Sequence, residues 1–182
     1  MTKWPNRAAS SRTSSGLAAD PQRSAYLDAL HLLSRRALSI AECRERLLAR
    51  EHAADTIDQA ITHLLDTGGL DDKRLALSHA RTAVEIKGRG RLRVVRELQA
   101  RGVDKEVAAE AVADVFSEKD ERSLVARALQ KKLRRGSRPE SKTVDAAEQA
   151  RLYQYLMRQG FTPAVVIEAL RKLRKGTDDE VE

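Results

Sequence analysis

The sequence predicts an all-α protein of three tandem three-helix repeats that stack into a curved, elongated array. Aromatic residues make up 3% of the 182-residue chain and charged residues 34%, while Leu and Ala recur throughout. This composition is typical of helices packed on helices. The segments LLAREHAADTI, ELQARGVDKEV and YLMRQGFTPAV also share one pattern, in which a leucine lies nine residues before a β-branched residue. Such internal repetition indicates a repeat architecture.

The shared pattern sets the expected limits of the repeats. Its leucines and β-branched residues are Leu48, Leu98, Leu156, Ile57, Val107 and Val165. We expect repeats at residues 20–69, 70–116 and 117–175, between a disordered basic tail at 1–19 and an acidic tail at 176–182. Because three short helices cannot bury their apolar faces alone, neighbouring repeats are expected to stack.

Start and stop signals divide the first repeat into three helices. Asp20 before Pro21 predicts a first helix, and Ser39 with Glu42 forms a capping-box pattern that begins a second. A third is expected to be capped by Asp55 or Thr56 and to end at the glycine pair Gly68 and Gly69. Apolar spacing predicts the inward residues Tyr26, Leu27, Leu30, Leu33 and Ala37 in the first helix and Ile57, Ile61, Leu64 and Leu65 in the third.

The second repeat follows the same plan. Asp71 or Asp72 is expected to cap a fourth helix that stops at Gly88. A fifth helix is expected over residues 91–100, and Asp104 is expected to cap a sixth. The predicted inward residues are Leu75, Ala76, His79, Ala83, Ile86, Leu92, Val95, Leu98, Val107, Ala111, Val112 and Val115.

In the third repeat, Ser117, with Asp120 three residues on, predicts the cap of a seventh helix. An eighth helix is expected to end at Gly160, because glycine accepts the left-handed conformation of a helix end. Thr162 as cap and Pro163 as first helical residue predict the start of a ninth helix.

The sequence carries no constellation typical of catalysis or of metal binding. The four histidines and the single cysteine, Cys43, lie outside HExxH and CxxC contexts. Gly88 and Gly90 form no nucleotide-binding loop, because neither a strand nor a Gly-Lys-Ser/Thr triplet accompanies them. Asp71 and Asp72 are interpreted as helix caps rather than as metal ligands. We therefore expect a protein that is not an enzyme and that needs no cofactor or metal.

Composition also bounds the cellular compartment. No apolar run approaches the roughly 18 residues that cross a bilayer, and the amino terminus lacks the apolar core of a signal peptide. A single cysteine fits a reducing compartment. We expect a cytoplasmic monomer that makes no membrane contact.

Positive charge is concentrated in two segments. The net charge is +7, with six Lys and Arg against one acid in residues 87–101 and seven against one in residues 127–142. This segregation predicts a face for an anionic partner, either nucleic-acid phosphate or an acidic protein surface. The candidate binding residues are Arg89, Arg91, Arg93, Arg96, Lys131, Lys132, Arg134, Arg135 and Arg138. The alternative is that these side chains only solvate helix faces and neutralise helix ends.

The first three arginines are the strongest candidates. Arg89, Arg91 and Arg93 crowd the start of a predicted helix, where the helix dipole disfavours cations. Their placement is therefore not explained by local helix stability. No aromatic residue is interleaved with them, so stacking of nucleic-acid bases has little support.

The middle repeat resembles a known family. The string GLDDKRLA at 69–76, a helix, and then GRGRLRVVREL and ARGV resemble the signature region of the RecX family, bacterial regulators of the RecA recombinase. The similarity extends over about residues 25–175. Leu75 and Leu92 stand where that family commonly has Phe and Ile, and both are conservative changes.

The resemblance implies a regulator, mainly an inhibitor, of RecA in homologous recombination, DNA repair and the SOS response. Such a protein lies in the groove of the RecA filament on single-stranded DNA and limits filament growth, ATP hydrolysis and strand exchange. Two other classes fit the charge pattern. A sequence-nonspecific DNA-binding protein would compete for DNA with a steep salt dependence. A helical scaffold without a DNA role would not respond to polyanions.

Overall fold

The computed structural model describes residues 21–117, 120–135 and 145–178. These residues form nine α-helices and no strand, in three consecutive groups of three. The all-α class and the tandem three-helix organisation predicted from the sequence are confirmed. The tail predicted at 1–19 lies outside the described residues. The predicted repeat limits remain a prediction.

The first unit contains α1 (Pro21–Leu33), α2 (Ile40–Leu48) and α3 (Ala54–Asp66). The predicted capping box begins α2, since the Ser39 hydroxyl accepts from the Glu42 N–H and the Glu42 carboxylate accepts from the Ser39 N–H, both at 3.0 Å. The predicted caps of α3, Asp55 and Thr56, are wrong. Both residues lie in the first turn, and Ala53 holds the cap position without a side-chain hydrogen bond.

The second unit contains α4 (Asp72–Glu85), α5 (Arg91–Ala100) and α6 (Lys105–Ser117). Asp71 is the cap of α4, because its carboxylate accepts from the Arg74 N–H at 2.9 Å. Asp104 accepts from the backbone N–H groups of the first turn of α6 at 2.8 and 3.3 Å. Both carboxylates thus satisfy amide groups that a helix start leaves free.

The third unit contains α7 (Glu121–Arg135), α8 (Ala146–Gln159) and α9 (Pro163–Asp178). The predicted cap at Ser117 is wrong, because α6 continues through that residue. Asp120 serves instead, accepting from the Arg122 N–H at 3.1 Å. Gly160 ends α8 in the left-handed conformation, with φ of 84°.

Two hydrophobic clusters form the core. One belongs to the first unit, and the other joins the second and third units into a single packed body. The first cluster contains Ala29, Leu32, Leu38, Cys43, Leu47, Ile57, Ile61, Leu64 and Leu70. The second cluster is the larger, and its fully buried side chains include Val84, Val94, Leu98, Val112, Val125, Leu156, Phe161 and Val166.

Several predicted inward residues face outward. Leu27, Leu30, Leu65, Ile86 and Leu92 are exposed, with Ile86 reaching 75%. In α1 the buried stripe is Ala25, Ala29 and Leu32 instead, since small side chains let packed helices approach closely. In α5 the buried residues are Val94 and Leu98, which lie four positions apart on one face.

The structural register of the repeat differs from the predicted one. Leu47, Leu98 and Leu156 are each fully buried, and each lies ten residues before a buried residue, namely Ile57, Ala108 and Val166. The first unit is therefore defined by Leu47, and the predicted Leu48 is 51% exposed. The sequence alone did not distinguish Leu47 from Leu48, because either leucine fits the apolar spacing of the helix.

Candidate partner-binding surface

Neighbouring units meet through the ends of their middle helices. At the first joint, the start of α2 lies against the end of α5. The Ser39 hydroxyl donates to the Arg101 carbonyl, and Ser39 is completely buried. A Cβ added at Gly102 would lie under 3.0 Å from the Ala41 Cβ. The two helix ends are therefore in direct contact.

An ion pair crosses the first joint. The Arg101 guanidinium donates to both carboxylate oxygens of Glu42, with Nε to Oε1 at 3.2 Å and Nη2 to Oε2 at 2.7 Å. Burial raises the pKa of Glu42, but the hydrogen bonds from Arg101 and the Ser39 N–H outweigh it and lower that pKa to about 2. Sequence reasoning missed this pair. The only sequence signal was Glu42 itself, because the carboxylate of a capping box can also accept hydrogen bonds from a cation.

Asp72 also acts across this joint. The sequence predicted it as a possible cap of its own helix, but its carboxylate accepts from the Ile40 N–H, at the start of α2, at 3.0 Å. Burial raises the pKa of Asp72, and this backbone hydrogen bond opposes the rise. Asp72 is thus a helix-end partner for a different helix, because Asp71 already caps α4.

The second joint repeats the first between α5 and α8. The Gly90 N–H donates to the Gln159 carbonyl and the Leu92 N–H donates to the Gly160 carbonyl, both at 2.9 Å. A Cβ added at Gly90 would lie under 3.0 Å from backbone atoms of Gly160 and Phe161. Only glycine permits this approach, so the start of α5 serves the stacking of units.

Two of the predicted binding arginines pair with Glu97 of α5, and one of them, Arg93, also crosses the second joint. Arg89 and Arg93 both donate to the carboxylate of Glu97, the latter at 2.9 Å, and His79 contacts the same carboxylate at 3.3 Å. Arg93 also donates to the Arg158 carbonyl at 3.1 Å. Burial raises the pKa of Glu97, and these hydrogen bonds outweigh it and lower that pKa. Internal contacts therefore account for both arginines.

The other two arginines of α5 differ in their surroundings. The Arg91 guanidinium lies over the Phe116 ring, 5.2 Å from its centroid, an arrangement typical of a cation–π contact. Arg96 is exposed, and its Nε donates to the Leu92 carbonyl at 3.2 Å within the helix. Of the four, Arg96 offers the most accessible charge.

Thr162 directly precedes the first residue of α9, as predicted, and it also joins α9 to α7. Its hydroxyl and its N–H both donate to the Glu121 carboxylate, each at 3.1 Å. These two hydrogen bonds tie the start of α9 to the start of α7. Its backbone carbonyl accepts from the Val166 N–H at 3.1 Å.

The net charge of the chain resides in the third unit. Residues 120–178 contain fourteen Lys and Arg and seven Asp and Glu, which gives +7, the same as the whole chain. The rest of the chain is therefore balanced between the two signs. A field of one sign confined to one end would orient the molecule on an anionic partner.

One face of α7 carries exposed cations. Arg127, Lys131 and Arg134 are exposed, and their spacing of four and three residues places them on one side of the helix. Lys132 lies beside them, 5.6 Å from the centroid of the Tyr155 ring. The side chain of Arg135 and the whole of Arg138, which were also predicted as binding residues, lie outside the described residues. We call Arg127, Lys131, Lys132 and Arg134 the α7 basic face.

A groove runs between α7 and α9 beside this face. It has a volume of about 300 Å³. Its floor is apolar and consists of Ala126, Leu129, Leu133, Val165, Ala169 and Leu173. Its rim holds Glu168 between two cations, with Arg122 at 3.1 Å and Lys172 at 3.0 Å. An apolar floor with a charged rim is typical of a groove that binds a protein segment.

Within the described ranges, no group of three or more His, Cys, Asp or Glu residues is placed to hold a metal ion. No helix of that part of the chain is long and apolar enough to cross a membrane. Cys43 is a free, buried thiol whose pKa is raised by burial.

The fold and the surface define a class of protein, a tandem array of three-helix units with a basic terminal unit. The first, second and third three-helix domains of RecX match residues 25–64, 71–112 and 120–170. The chain belongs to the RecX family of regulatory proteins.

Relatives in sequence agree with this assignment, and a solved structure shares the fold. The regulatory protein RecX of Chromohalobacter salexigens is 36% identical over 134 residues, which cover 74% of this chain and 82% of that protein. The regulatory protein RecX of Pelodictyon phaeoclathratiforme is 32% identical over 153 residues, covering 84% and 91%. A crystal structure of RecX from Lactobacillus salivarius shares the fold with a TM-score of 0.72 and 23% identity, over 85% of this chain and 97% of that one.

Proposed function

We propose that the chain regulates the RecA recombinase, mainly as an inhibitor. It lies in the groove of the RecA filament on single-stranded DNA and limits filament growth, ATP hydrolysis and strand exchange. This role places it in the cytoplasm, in homologous recombination, DNA repair and the SOS response. Membership of a family of regulatory proteins supports the proposal. The chain acts by binding, without catalysis or a cofactor.

The observation that carries the proposal is the charge of the third unit, where residues 120–178 hold all of the net +7. A nucleoprotein filament offers phosphates and acidic side chains, and both attract this unit. The α7 basic face and Arg96 supply exposed cations for these contacts. We assign Arg93 a second task, to hold the joint through which the third unit is oriented, because it donates to the Arg158 carbonyl. Arg89 and Arg91 make their contacts within the second unit, to Glu97 and to Phe116.

The two joints give the array a fixed spacing. Each joins two units through direct backbone or near-backbone contact, which leaves little freedom for one unit to move against the next. A chain that bridges successive protomers of a filament needs such a spacing, because a flexible linker would lose binding free energy on ordering. The proposed binding thus depends on the fixed spacing between the units of the array.

The groove between α7 and α9 favours a protein partner over DNA alone. Its apolar floor offers no hydrogen bond or charge to a phosphate, but it can bury apolar side chains of a protein segment. The second candidate function, sequence-nonspecific DNA binding, has the support of the basic face only. A regulator of the filament uses both features.

A pull-down at two salt concentrations tests the proposal. The chain is offered RecA filament on single-stranded DNA in one arm and the naked DNA in the other. We expect filament capture to persist at high salt, because apolar contacts are not screened, whereas capture by naked DNA falls steeply. Equal capture in both arms with the same salt dependence would support competition for DNA. Capture in neither arm would support a scaffold without a DNA role.

A further inference from the structure

Each middle helix begins at an equivalent position, and the third is unlike the other two. Ser39 precedes α2, Gly90 precedes α5 and Asp145 precedes α8. Ser39 and Gly90 are buried against the next unit's middle helix, whereas Asp145 is exposed. The array therefore ends, within its described part, on a helix start that has the position of a joint but no fourth unit on it.

The ends of the middle helices are also equivalent. Glu51, Gly102 and Gly160 each lie four residues after the defining leucine and are all left-handed, with φ of 64°, 75° and 84°. The two glycines allow the preceding unit to approach, since a Cβ at either would lie under 3.0 Å from Ala41 or Arg93. Glu51 is the exception. It is the one non-glycine residue with positive φ among the described residues, and side chains disfavour this conformation.

Among the described residues, the two outer ends of the array, at Glu51 and Asp145, carry one residue pair that matches the ion pair of the first joint. Arg50 precedes Glu51 as Arg101 precedes Gly102, and Glu148 lies three residues after Asp145 as Glu42 lies after Ser39. Arg50 and Glu148 could therefore form the ion pair of the first joint between two copies of the chain. In its own unit, Arg50 instead pairs with Asp28 at 2.9 Å.

We propose that Glu51 and Asp145 prevent a second copy of the chain from adding to the array, and so keep it three units long. The Cβ of Glu51 would meet Ala147 of the other copy, which corresponds to Ala41. The Asp145 carboxylate would face the Arg50 carbonyl, where the Ser39 hydroxyl donates a hydrogen bond in the first joint. Glu51 thus blocks the approach of the second copy, and Asp145 places an acceptor where the first joint has a hydroxyl donor.

The need for such a block follows from the symmetry of the joints. A contact between the start of one middle helix and the end of another is head-to-tail, and contacts of this kind do not close unless rotation returns to the first copy. Repetition would give open filaments of the regulator itself. The inference concerns the free protein and does not depend on the function proposed above.

The test is the variant Glu51→Gly/Asp145→Ser, which gives the two ends the residue types of the first joint. Serine still caps α8, because a hydroxyl accepts from the same backbone N–H groups. Sedimentation velocity is measured across a roughly 100-fold concentration range. We expect the wild type to sediment as one chain throughout, and the variant to gain mass with concentration in steps of one chain.

Two matched controls make the test specific. Glu51→Ala/Asp145→Ser keeps a Cβ and is expected to remain a single chain. Adding Glu148→Gln to the glycine variant removes the ion pair with Arg50 and is expected to weaken association roughly tenfold. Circular dichroism and thermal melting establish that every variant is folded. A folded glycine variant that stays monomeric, a wild type that associates, or equal association of the alanine control would each overturn the proposal.

Discussion

Gly90 and Gly160 bring two backbones into contact at the second joint. The Gly90 N–H donates to the residue before Gly160, and the Gly160 carbonyl accepts from the start of α5. Since φ of Gly90 is −82°, its conformation suits any residue, and glycine is required only by the space. A substitution there therefore reports on the joint alone.

We expect Gly90→Ala to lower the free energy of unfolding by about 2–3 kcal/mol, because an added methyl group must push two backbones apart. Gly68→Ala is the control. Gly68 has φ of 69° and nothing within 4 Å of an added Cβ, so it should lose only about 1 kcal/mol from backbone strain. Urea unfolding measures both. An equal or smaller loss for Gly90→Ala would show that the joint is not tightly packed.

The ion pair of the first joint should stabilise the protein more than a surface pair does. We expect Arg101→Ala to cost about 1–2 kcal/mol, since it removes two hydrogen bonds from the partly buried Glu42 carboxylate, which keeps only Arg36 and the Ser39 N–H. Arg44→Ala breaks the pair with Asp58, whose side chain is 57% exposed, and should cost under about 1 kcal/mol. A double-mutant cycle of Arg101→Ala with Glu42→Gln measures the coupling. A coupling near zero would contradict the assigned contact.

The same carboxylate predicts a pH dependence. Because the pKa of Glu42 is about 2 in the folded protein and its ordinary value is 4.5, folding favours the ionised form. Its contribution is fully present above pH 4.5 and is lost as pH falls through about 2. The lowered pKa of Glu97 acts in the same direction. Unfolding free energy measured over this range should fall less steeply in Glu42→Gln than in the wild type.

Arg93 and Arg96 lie in the same helix, but we expect only Arg93 to contribute to the stability of the fold. Arg93→Glu places a carboxylate beside Glu97 and removes the bond to the Arg158 carbonyl, so we expect a loss of about 2–3 kcal/mol. Arg96→Glu changes an exposed residue and should stay within about 0.5 kcal/mol of the wild type. Thermal and urea unfolding decide the matter. Similar stability of the two variants would show that Arg93, like Arg96, has no structural role.

Local signals predicted the helices well because they act over a few residues. The capping box at Ser39 and Glu42 and the stop at Gly102 involve neighbours in sequence, and the structure shows both. The bounds of α5 at Arg91–Ala100 are those that the flanking glycines predict. These features needed no knowledge of the units beyond.

Features that depend on stacking could not be predicted. Arg93 meets the Arg158 carbonyl and Arg101 meets Glu42 across about 60 residues of chain, so neither contact leaves a periodic trace. The helix dipole disfavours the arginines at the start of α5, but Glu97 offsets this for Arg89 and Arg93 by pairing with both. Glu51 hid the first repeat's register, because it stands where the other two have glycine.

The α7 basic face gives the most direct test of the account. The measurement is RecA ATPase on single-stranded DNA, titrated with a variant changing Arg127, Lys131 and Arg134 to Glu. The control variant changes Arg81, Lys87 and Lys105 to Glu, an equal change of charge at exposed positions of the second unit. We expect the α7 variant to require at least about tenfold more protein for half-inhibition, while the control shifts by less than about threefold. Equal inhibition by both folded variants would contradict the assignment of the third unit as the binding surface.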